Sequence, residues 1–479
     1  MNRRHFLQGM LAGAAGLTVP GLRPTQAQSR PNVLFIAVDD LNTWTGCLGG
    51  HPDAQTPNLD RLAARGMLFT HAYCPAPICN ASRTAVLTGL RSSTSGVYWN
   101  SAQRQHFRRF PQTAEHITLP QHFMQHGYRT LRAGKVFHYD DPASWDEVYD
   151  AERIAGIDSF DRAHPAHNGI AGLPEELDWG PLDLSDEDLT DWQVVNWAAE
   201  RLDRGFDQPF FMGVGLYRPH LPWFVPRAYF ELFPPEAVAL PEVLPHDRDD
   251  VPAIAVDNVF ERANTHQVIV EAGAWHTAVA AYLASITFFD ERLGQLLAAL
   301  DASAYADHTV IVLWSDHGWH LGEKQYWSKD VLWEEALHIP LIITAPESAS
   351  IPVAPGSQCA RVVSTLDLYP TLAEVCGLPP RGGLDGVSLG PLLQNPDADW
   401  DRPAISTRDY MNHSIRTAQW RYTRYVDDSE ELYDHVTDPL EWHNLAGDSQ
   451  YDDVKAALAR YLPEVNLPSV PKPANQSDD

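Results

Sequence analysis

Residues 32–38 form an unbroken apolar run, NVLFIAV, that stops at Asp39-Asp40. A run without polar alternation reads as a strand buried on both faces, as at the centre of a parallel sheet. Five more short strands are predicted over 67–73, 129–133, 209–216, 308–314 and 338–344. Between them lie segments with helical periodicity. One opens at Thr56-Pro57-Asn58 and carries Leu59, Leu62 and Ala63 on one face. Others cover 82–90, 118–126, 189–202, 272–300 and 365–376. Strands alternating with helices predict an α/β fold, a large doubly wound mixed sheet flanked by helices on both faces. Ligands of such sheets sit beyond the carboxyl ends of the strands. Two polar clusters stand there in the sequence, Asp39-Asp40 after the first strand and Asp316-His317 after the fifth. Brought to one edge of one sheet, they would make a metal site. From about Pro396 the texture changes to an Arg- and Tyr-rich strand at 420–426, an acidic turn and a helix at 453–462. This predicts a main unit over 30–395 and a smaller C-terminal α+β subdomain over 396–479. The acidic groups at 185–191 and 247–250 read as solvated loops or helix starts, and 464–479 as a loose terminus.

Composition narrows the class. The chain has 479 residues, of which 44% are hydrophobic and 20% charged, which is a globular protein with room for a large core. Asp and Glu outnumber Lys and Arg by 63 to 35, for a formal charge of -28. That balance argues against nucleic acid or an anionic membrane as partner. Five cysteines and no C-x-x-C pair exclude a disulfide scaffold and the common zinc-finger patterns. The start combines Arg3-Arg4, Phe6-Leu7, a weakly apolar Gly/Ala-rich stretch and Thr25-Gln26-Ala27. It resembles a twin-arginine export signal over 1–29, which implies a protein folded in the cytoplasm and used in the periplasm or outside the cell. No later apolar run is long enough to span a bilayer, so no membrane association is expected after signal cleavage.

The stretch richest in chemistry is Cys79-Asn80-Ala81-Ser82-Arg83-Thr84-Ala85-Val86-Leu87-Thr88-Gly89. It resembles the sulfatase signature C-x-P-S-R-x-x-x-L-T-G, with Ala81 in the place of the usual Pro and Leu90 in that of the Arg after the Gly. The resemblance implies that Cys79 is oxidised to formylglycine by a formylglycine-generating or anaerobic sulfatase-maturing enzyme. The hydrated aldehyde would attack sulfur with one hydroxyl and expel sulfate with the other, so that covalent catalysis carries its own release step. Read without the resemblance, Cys79 is a small buried residue, or half of a disulfide with Cys74.

The similarity continues along most of the chain. Asp39 and Asp40 match the family's first pair of metal ligands, and Asp316-His317-Gly318 matches the second. Together with residue 79 they imply one Ca²⁺ per chain, bound by hard oxygen donors. Arg83 would hold the hydrate and the metal-site acids. Gly134-Lys135-Val136-Phe137-His138 resembles a G-K-x-x-H segment, in which Lys135 binds sulfate and His138 assists the second hydroxyl. Tyr217-Arg218-Pro219-His220-Leu221-Pro222 resembles the segment that brings a proton-donating His, here His220, to the leaving oxygen. Trp327-Ser328-Lys329 resembles the iduronate-2-sulfatase branch, in which Lys329 would bind sulfate. Only five lysines stand in the chain, and two of them fall in these motifs. The implied substrate is a sulfated sugar or oligosaccharide. Two other readings stay open: a phosphodiesterase or phosphonate monoester hydrolase of the same alkaline-phosphatase-like superfamily, and an unmatured glycan-binding remnant.

Overall fold

The computed structural model describes residues 30–100, 106–151 and 167–468. The export signal expected over 1–29 lies outside the described residues. No helix among those described is long and apolar enough to cross a membrane.

The main sheet has nine strands. In chain order they are β1 (Asn32–Val38), β2 (Met67–Tyr73), β3 (Arg129–Gly134), β4 (Glu147–Tyr149), β5 (Phe210–Leu216), β6 (Thr309–Ser315), β7 (His338–Thr344), β8 (Ser357–Cys359) and β9 (Val363–Ser364). Their spatial order is β8-β2-β7-β6-β1-β5-β3-β4, with β9 also against β2. β1 pairs in parallel with both β5 and β6. β7 runs antiparallel to both its neighbours, which makes the sheet mixed.

The apolar run of β1 feeds two cores by simple alternation. Leu34, Ile36 and Val38 join a cluster with Val194 and Leu202 of one helix (Thr190–Arg204) and Leu283, Ile286 and Leu293 of another (Trp275–Ala302). Val33, Phe35 and Ala37 point the other way, into a cluster with Val86, Phe123, Tyr369 and Leu372. Burial on both faces explains the absence of polar positions after Asn32 in this strand.

The long helix begins later than its periodicity predicts. Gly273 takes a left-handed φ of 64° and closes a separate helix, Thr265–Glu271, before the long one starts at Trp275. The helix expected over 82–90 starts earlier, at Cys79, and ends at Thr88 against the left-handed Gly89.

Beyond the main sheet, β10 (Ala404–Thr407), β11 (His413–Arg416), β12 (Trp420–Arg424) and β13 (Glu430–Asp434) form an antiparallel sheet in that order. A helix, Asp452–Leu458, closes over it through Leu458, Ile415, Tyr422 and Leu432. This sheet also grips the chain just before Cys79. Ser406 Oγ donates to the Cys74 carbonyl at 2.6 Å, and Thr407 N to that of Pro75 at 2.9 Å.

Three expectations about polar segments change. Asp191 is buried and accepts from the backbone N of Tyr217 and Arg218, at 2.7 and 2.9 Å. Asp247 is buried against Lys324 at 3.0 Å. Neither is a solvated acid, because each answers a specific buried donor. The first described residues of the expected loose terminus are docked: Leu467 N donates to Ser93 O at 2.8 Å, and Asn466 meets His413 at 2.9 Å.

Candidate active site

β1 and β6 lie side by side in register, Val38 opposite Ser315. Asp39-Asp40 and Asp316-His317 therefore leave the sheet at the same edge, although Asp40 and Asp316 are 276 positions apart in the chain. Asp40 turns immediately, with φ 63°, a left-handed conformation that Asp tolerates better than most residues. Its N–H donates to Asp316 Oδ1 at 3.2 Å, and its carbonyl accepts from the Tyr282 hydroxyl at 2.7 Å. That hydroxyl also accepts from Asn42 N at 3.1 Å, so one buried tyrosine fixes both ends of the turn.

The helix Cys79–Thr88 is buried along its whole length and aims its N-terminus at this edge. Cys79 heads the first turn, where the helix dipole favours a negative group. Arg83 follows one turn later on the same face. Its Nε donates to Asp316 Oδ2 at 2.7 Å, and its other nitrogens reach the carbonyls of Lys135 and Val136. An Arg83 terminal nitrogen stands 3.2 Å from Asp39 Oδ1. One fully enclosed guanidinium thus ties the ends of β1, β3 and β6 together.

Lys135 enters through a close backbone crossing. A Cβ on Gly215 would fall 2.0 Å from the Lys135 carbonyl oxygen, and one on Gly134 would fall 2.1 Å from that of Gly215. Only glycines permit that approach. Lys135 Nζ then sits 2.6 Å from Asp39 Oδ2. Lys329 reaches in from the far side, 2.8 Å from Asp40 Oδ1 and 3.1 Å from Cys79 Sγ. Its loop is pinned by Asp330, whose N donates to Pro77 O and whose carboxylate takes Arg408 at 3.1 Å. His317 Nε2 stands 3.2 Å from Cys79 Sγ and 3.5 Å from Asp40 Oδ1. The His138 ring is hydrogen-bonded to Cys79. His220 lines the mouth, with Nδ1 2.6 Å from Leu221 O and Nε2 3.9 Å from Asp40 Oδ2.

All ten residues predicted from the sequence gather around this one point. Asp39, Asp40, Cys79 and His317 each offer a donor atom within 4.8 Å of the others. Asp316 stands at the rim of that group, its Oδ1 3.6 Å from His317 Nε2. Cys79 and Cys74 are both free thiols, which removes the disulfide alternative.

The electrostatics favour anions at residue 79 and carboxylates around it. Burial raises the Cys79 thiol, but Lys135, Lys329 and His317 outweigh burial and hold it well below its ordinary value. Asp39 is likewise held far down: burial opposes ionisation, and Lys135 and Arg83 overcome it. Burial brings His138 down to about 4, so it is neutral in ordinary buffers. His317 rises to about 9, because Asp316 and Cys79 outweigh its burial. Two buried carboxylate oxygens accept no hydrogen bond: Asp39 Oδ1, which faces the Arg83 guanidinium at 3.2 Å, and Asp40 Oδ2, which has His220 Nε2 at 3.9 Å. Buried oxygens with unused lone pairs suit a cation, so these residues fit a bound metal ion.

The sulfatase family model matches residues 31–378 and so spans the main sheet and every residue of this site. The chain belongs to the sulfatase family. This sulfatase, a sulfuric ester hydrolase, also matches the model for the C-terminal region of N-sulphoglucosamine sulphohydrolase over residues 322–467. It is 37% identical to a sulfatase of Formosa agariphila over 480 residues, 97% of this chain and 93% of that protein. It is 30% identical to the iduronate 2-sulfatase of Homo sapiens over 541 residues, 90% of this chain and 94% of that protein. Among solved structures, its fold resembles an enzyme captured with its substrate D-glucosamine-2-N,6-O-disulfate, with TM-score 0.71, 23% identity, and coverage of 91% of this chain and 97% of that one. It also resembles a phosphonate monoester hydrolase of Silicibacter pomeroyi, with TM-score 0.74, 23% identity, and coverage of 90% and 94%.

Tyr282 and Asp191 are absent from the residues the sequence picked out. Tyr282 lies inside a long apolar helix and Asp191 inside an acidic cluster, so neither carries a local motif.

Proposed function

We propose that this sulfatase hydrolyses sulfate esters of sugars, in the manner of an iduronate-2-sulfatase-like enzyme, through a formylglycine at position 79 and one Ca²⁺. The observation that carries the reading is the crowding of two lysines, two histidines and two carboxylates around a single thiol at a helix N-terminus. Asp39, Asp40, Asp316 and His317 would hold the cation, which supplies positive charge to an anionic ester. The formylglycine supplies a hydrated aldehyde as nucleophile and as a route for sulfate release.

The remaining roles follow from geometry. Arg83 neutralises Asp39 and Asp316 and fixes their carboxylates, a structural task that the planar guanidinium performs from within the core. Lys329, 3.1 Å from the end of side chain 79, places an ammonium where sulfate oxygens would lie. Lys135 adds a second positive charge from the opposite wall. Neutral His138, bonded to side chain 79, is able to accept a hydroxyl proton. His220 donates from Nδ1 to the Leu221 carbonyl, which leaves Nε2 facing the mouth. Nε2, 3.9 Å from Asp40 Oδ2, would deliver a proton to the leaving sugar oxygen.

Twin-arginine export places this activity in the periplasm or outside the cell, after oxidation of Cys79 by a maturation enzyme in the cytoplasm. The test is the mass of the peptide containing residue 79 from protein made in its own host, followed by turnover of sulfated sugars. An aldehyde mass with sulfate release supports the reading. Unmodified Cys79 in active preparations, or faster cleavage of phosphonate than of sulfate esters, would overturn it.

A further inference from the structure

The site as built carries a thiol, and that thiol changes which ion the site prefers. Sulfur and imidazole are soft to borderline donors, whereas Ca²⁺ asks for six to eight oxygens. The donor set Cys79, His317, Asp39 and Asp40 is instead that of a four-coordinate zinc centre. The spacings agree. At ordinary Zn–S and Zn–N lengths, a tetrahedral ion separates its sulfur and nitrogen by about 3.5 Å, and a nitrogen and oxygen by about 3.4 Å. Here Cys79 Sγ lies 3.2 Å from His317 Nε2, and Asp40 Oδ1 lies 3.5 Å from the same nitrogen. Asp39 Oδ1, 3.2 Å from an Arg83 nitrogen, and Asp40 Oδ2 accept no hydrogen bond, so each acid keeps lone pairs to give, and Asp40 Oδ1 joins them once Lys329 leaves it. Asp316, which accepts from Arg83 Nε and from two backbone N–H groups, stands outside the four donor atoms that gather within 4.8 Å of one another.

We propose that the unoxidised chain is a zinc-binding protein, with Cys79, His317, Asp39 and Asp40 as ligands, and that oxidation of Cys79 moves the site from soft to hard cations. Removal of the sulfur leaves a donor set dominated by oxygen. The ε-ammonium of Lys329 touches both Asp40 Oδ1 and Cys79 Sγ and must swing away for the ion to enter. Lys329 is partly accessible at the cleft, which leaves it a path out. The inference shares its metal site with the proposed function but not its chemistry, so matured enzyme that hydrolyses sulfate esters is compatible with either result below.

The experiment uses full-length protein made without a maturation enzyme, stripped with a chelator and titrated with Co²⁺ as a spectroscopic stand-in for Zn²⁺. The expected result is a near-ultraviolet thiolate-to-cobalt band and tetrahedral visible bands that saturate at a single equivalent. Zn²⁺ should abolish them at equimolar concentration, and a large excess of Ca²⁺ should leave them in place. Cys79→Ser should lose the thiolate band, and His317→Asn should weaken Co²⁺ binding at least tenfold while the thiol remains. Circular dichroism and a thermal melt confirm that each variant is folded, and either folded variant suffices. Absence of the band in the unoxidised protein, its persistence in Cys79→Ser, or its displacement by Ca²⁺ would overturn the proposal.

Discussion

Tyr282→Phe tests how the metal-binding turn is held. The change keeps the ring, which packs edge-on to Trp44 at 5.7 Å and to Trp223 at 5.5 Å, so it opens no cavity in the core. It removes only the hydroxyl that donates to Asp40 O and accepts from Asn42 N. Both backbone groups are buried, and each left without a partner costs about 1–3 kcal/mol. Together they set a ceiling of about 2–6 kcal/mol, lowered to the extent that the left-handed Asp40 relaxes into an easier conformation. Relaxation would carry the Asp40 carboxylate away from its place. At about 1.4 kcal/mol per factor of ten, cation affinity should fall by about 10- to 100-fold. The assay is a calorimetric Ca²⁺ titration of chelator-treated, matured wild type and Tyr282→Phe, with urea denaturation of both in parallel. An unchanged Ca²⁺ affinity together with an unchanged urea midpoint would refute the argument, because the hydroxyl would then hold nothing.

Further predictions concern other parts of the machinery. Gly215→Ala would set a methyl 2.0 Å from the Lys135 carbonyl, and a displacement of Lys135 by about 1 Å should lower kcat by about 100-fold in a folded enzyme; wild-type turnover would refute the close-crossing argument. Glu441 is held down to about 2, because Arg421 and His435 overcome its burial. Its folded pKa is depressed, so its contribution to stability is complete above its ordinary 4.5 and is lost as the pH falls towards 2; Glu441→Gln should flatten the acid limb of a urea-midpoint profile over that window. Cys79→Ala should abolish sulfate release while circular dichroism and melting stay those of a folded protein. Finally, the cationic pocket sits in a chain of net charge -28, and charges more than about 8–10 Å away are already screened at physiological salt. A steep fall of kcat/KM between physiological and seawater ionic strength would contradict an attraction confined to the pocket.

Much of this architecture was legible in the order of residues. The NVLFIAV run marks the sheet centre because burial on both faces leaves no polar position to interrupt it. The same logic places Asp39-Asp40 and Asp316-His317 at one edge, since both follow strands of this buried kind. What stayed hidden depends on long-range partners. Asp191 and Asp247 read as surface acids, because nothing local reveals the Tyr217 and Arg218 amides or the Lys324 ammonium that pair with them. Tyr282 reads as one more apolar helix position until the fold brings its hydroxyl to Asp40. Gly273 is a single residue in a periodic stretch, yet it splits one predicted helix into two because its left-handed backbone satisfies the end of the first. The short strands β8 and β9 and the small hairpin of His320–Leu321 with Trp327–Ser328 have too few residues to show any period.

The grip of the C-terminal sheet on Cys74 and Pro75 sets an order of events. Ser406 and Thr407 are made more than 320 residues after Cys79, and they clasp the backbone that leads to a residue with no exposed surface. Until they arrive, the backbone that leads to residue 79 lacks this clasp. At ordinary synthesis speeds the interval between residue 79 and residue 407 leaving the ribosome is on the order of tens of seconds. Any second protein that works on Cys79 has that interval, or the time before docking completes, in which to find it. The late sheet acts as a timer, and a version of the chain in which Ser406 and Thr407 dock sooner would close the window on its own modification.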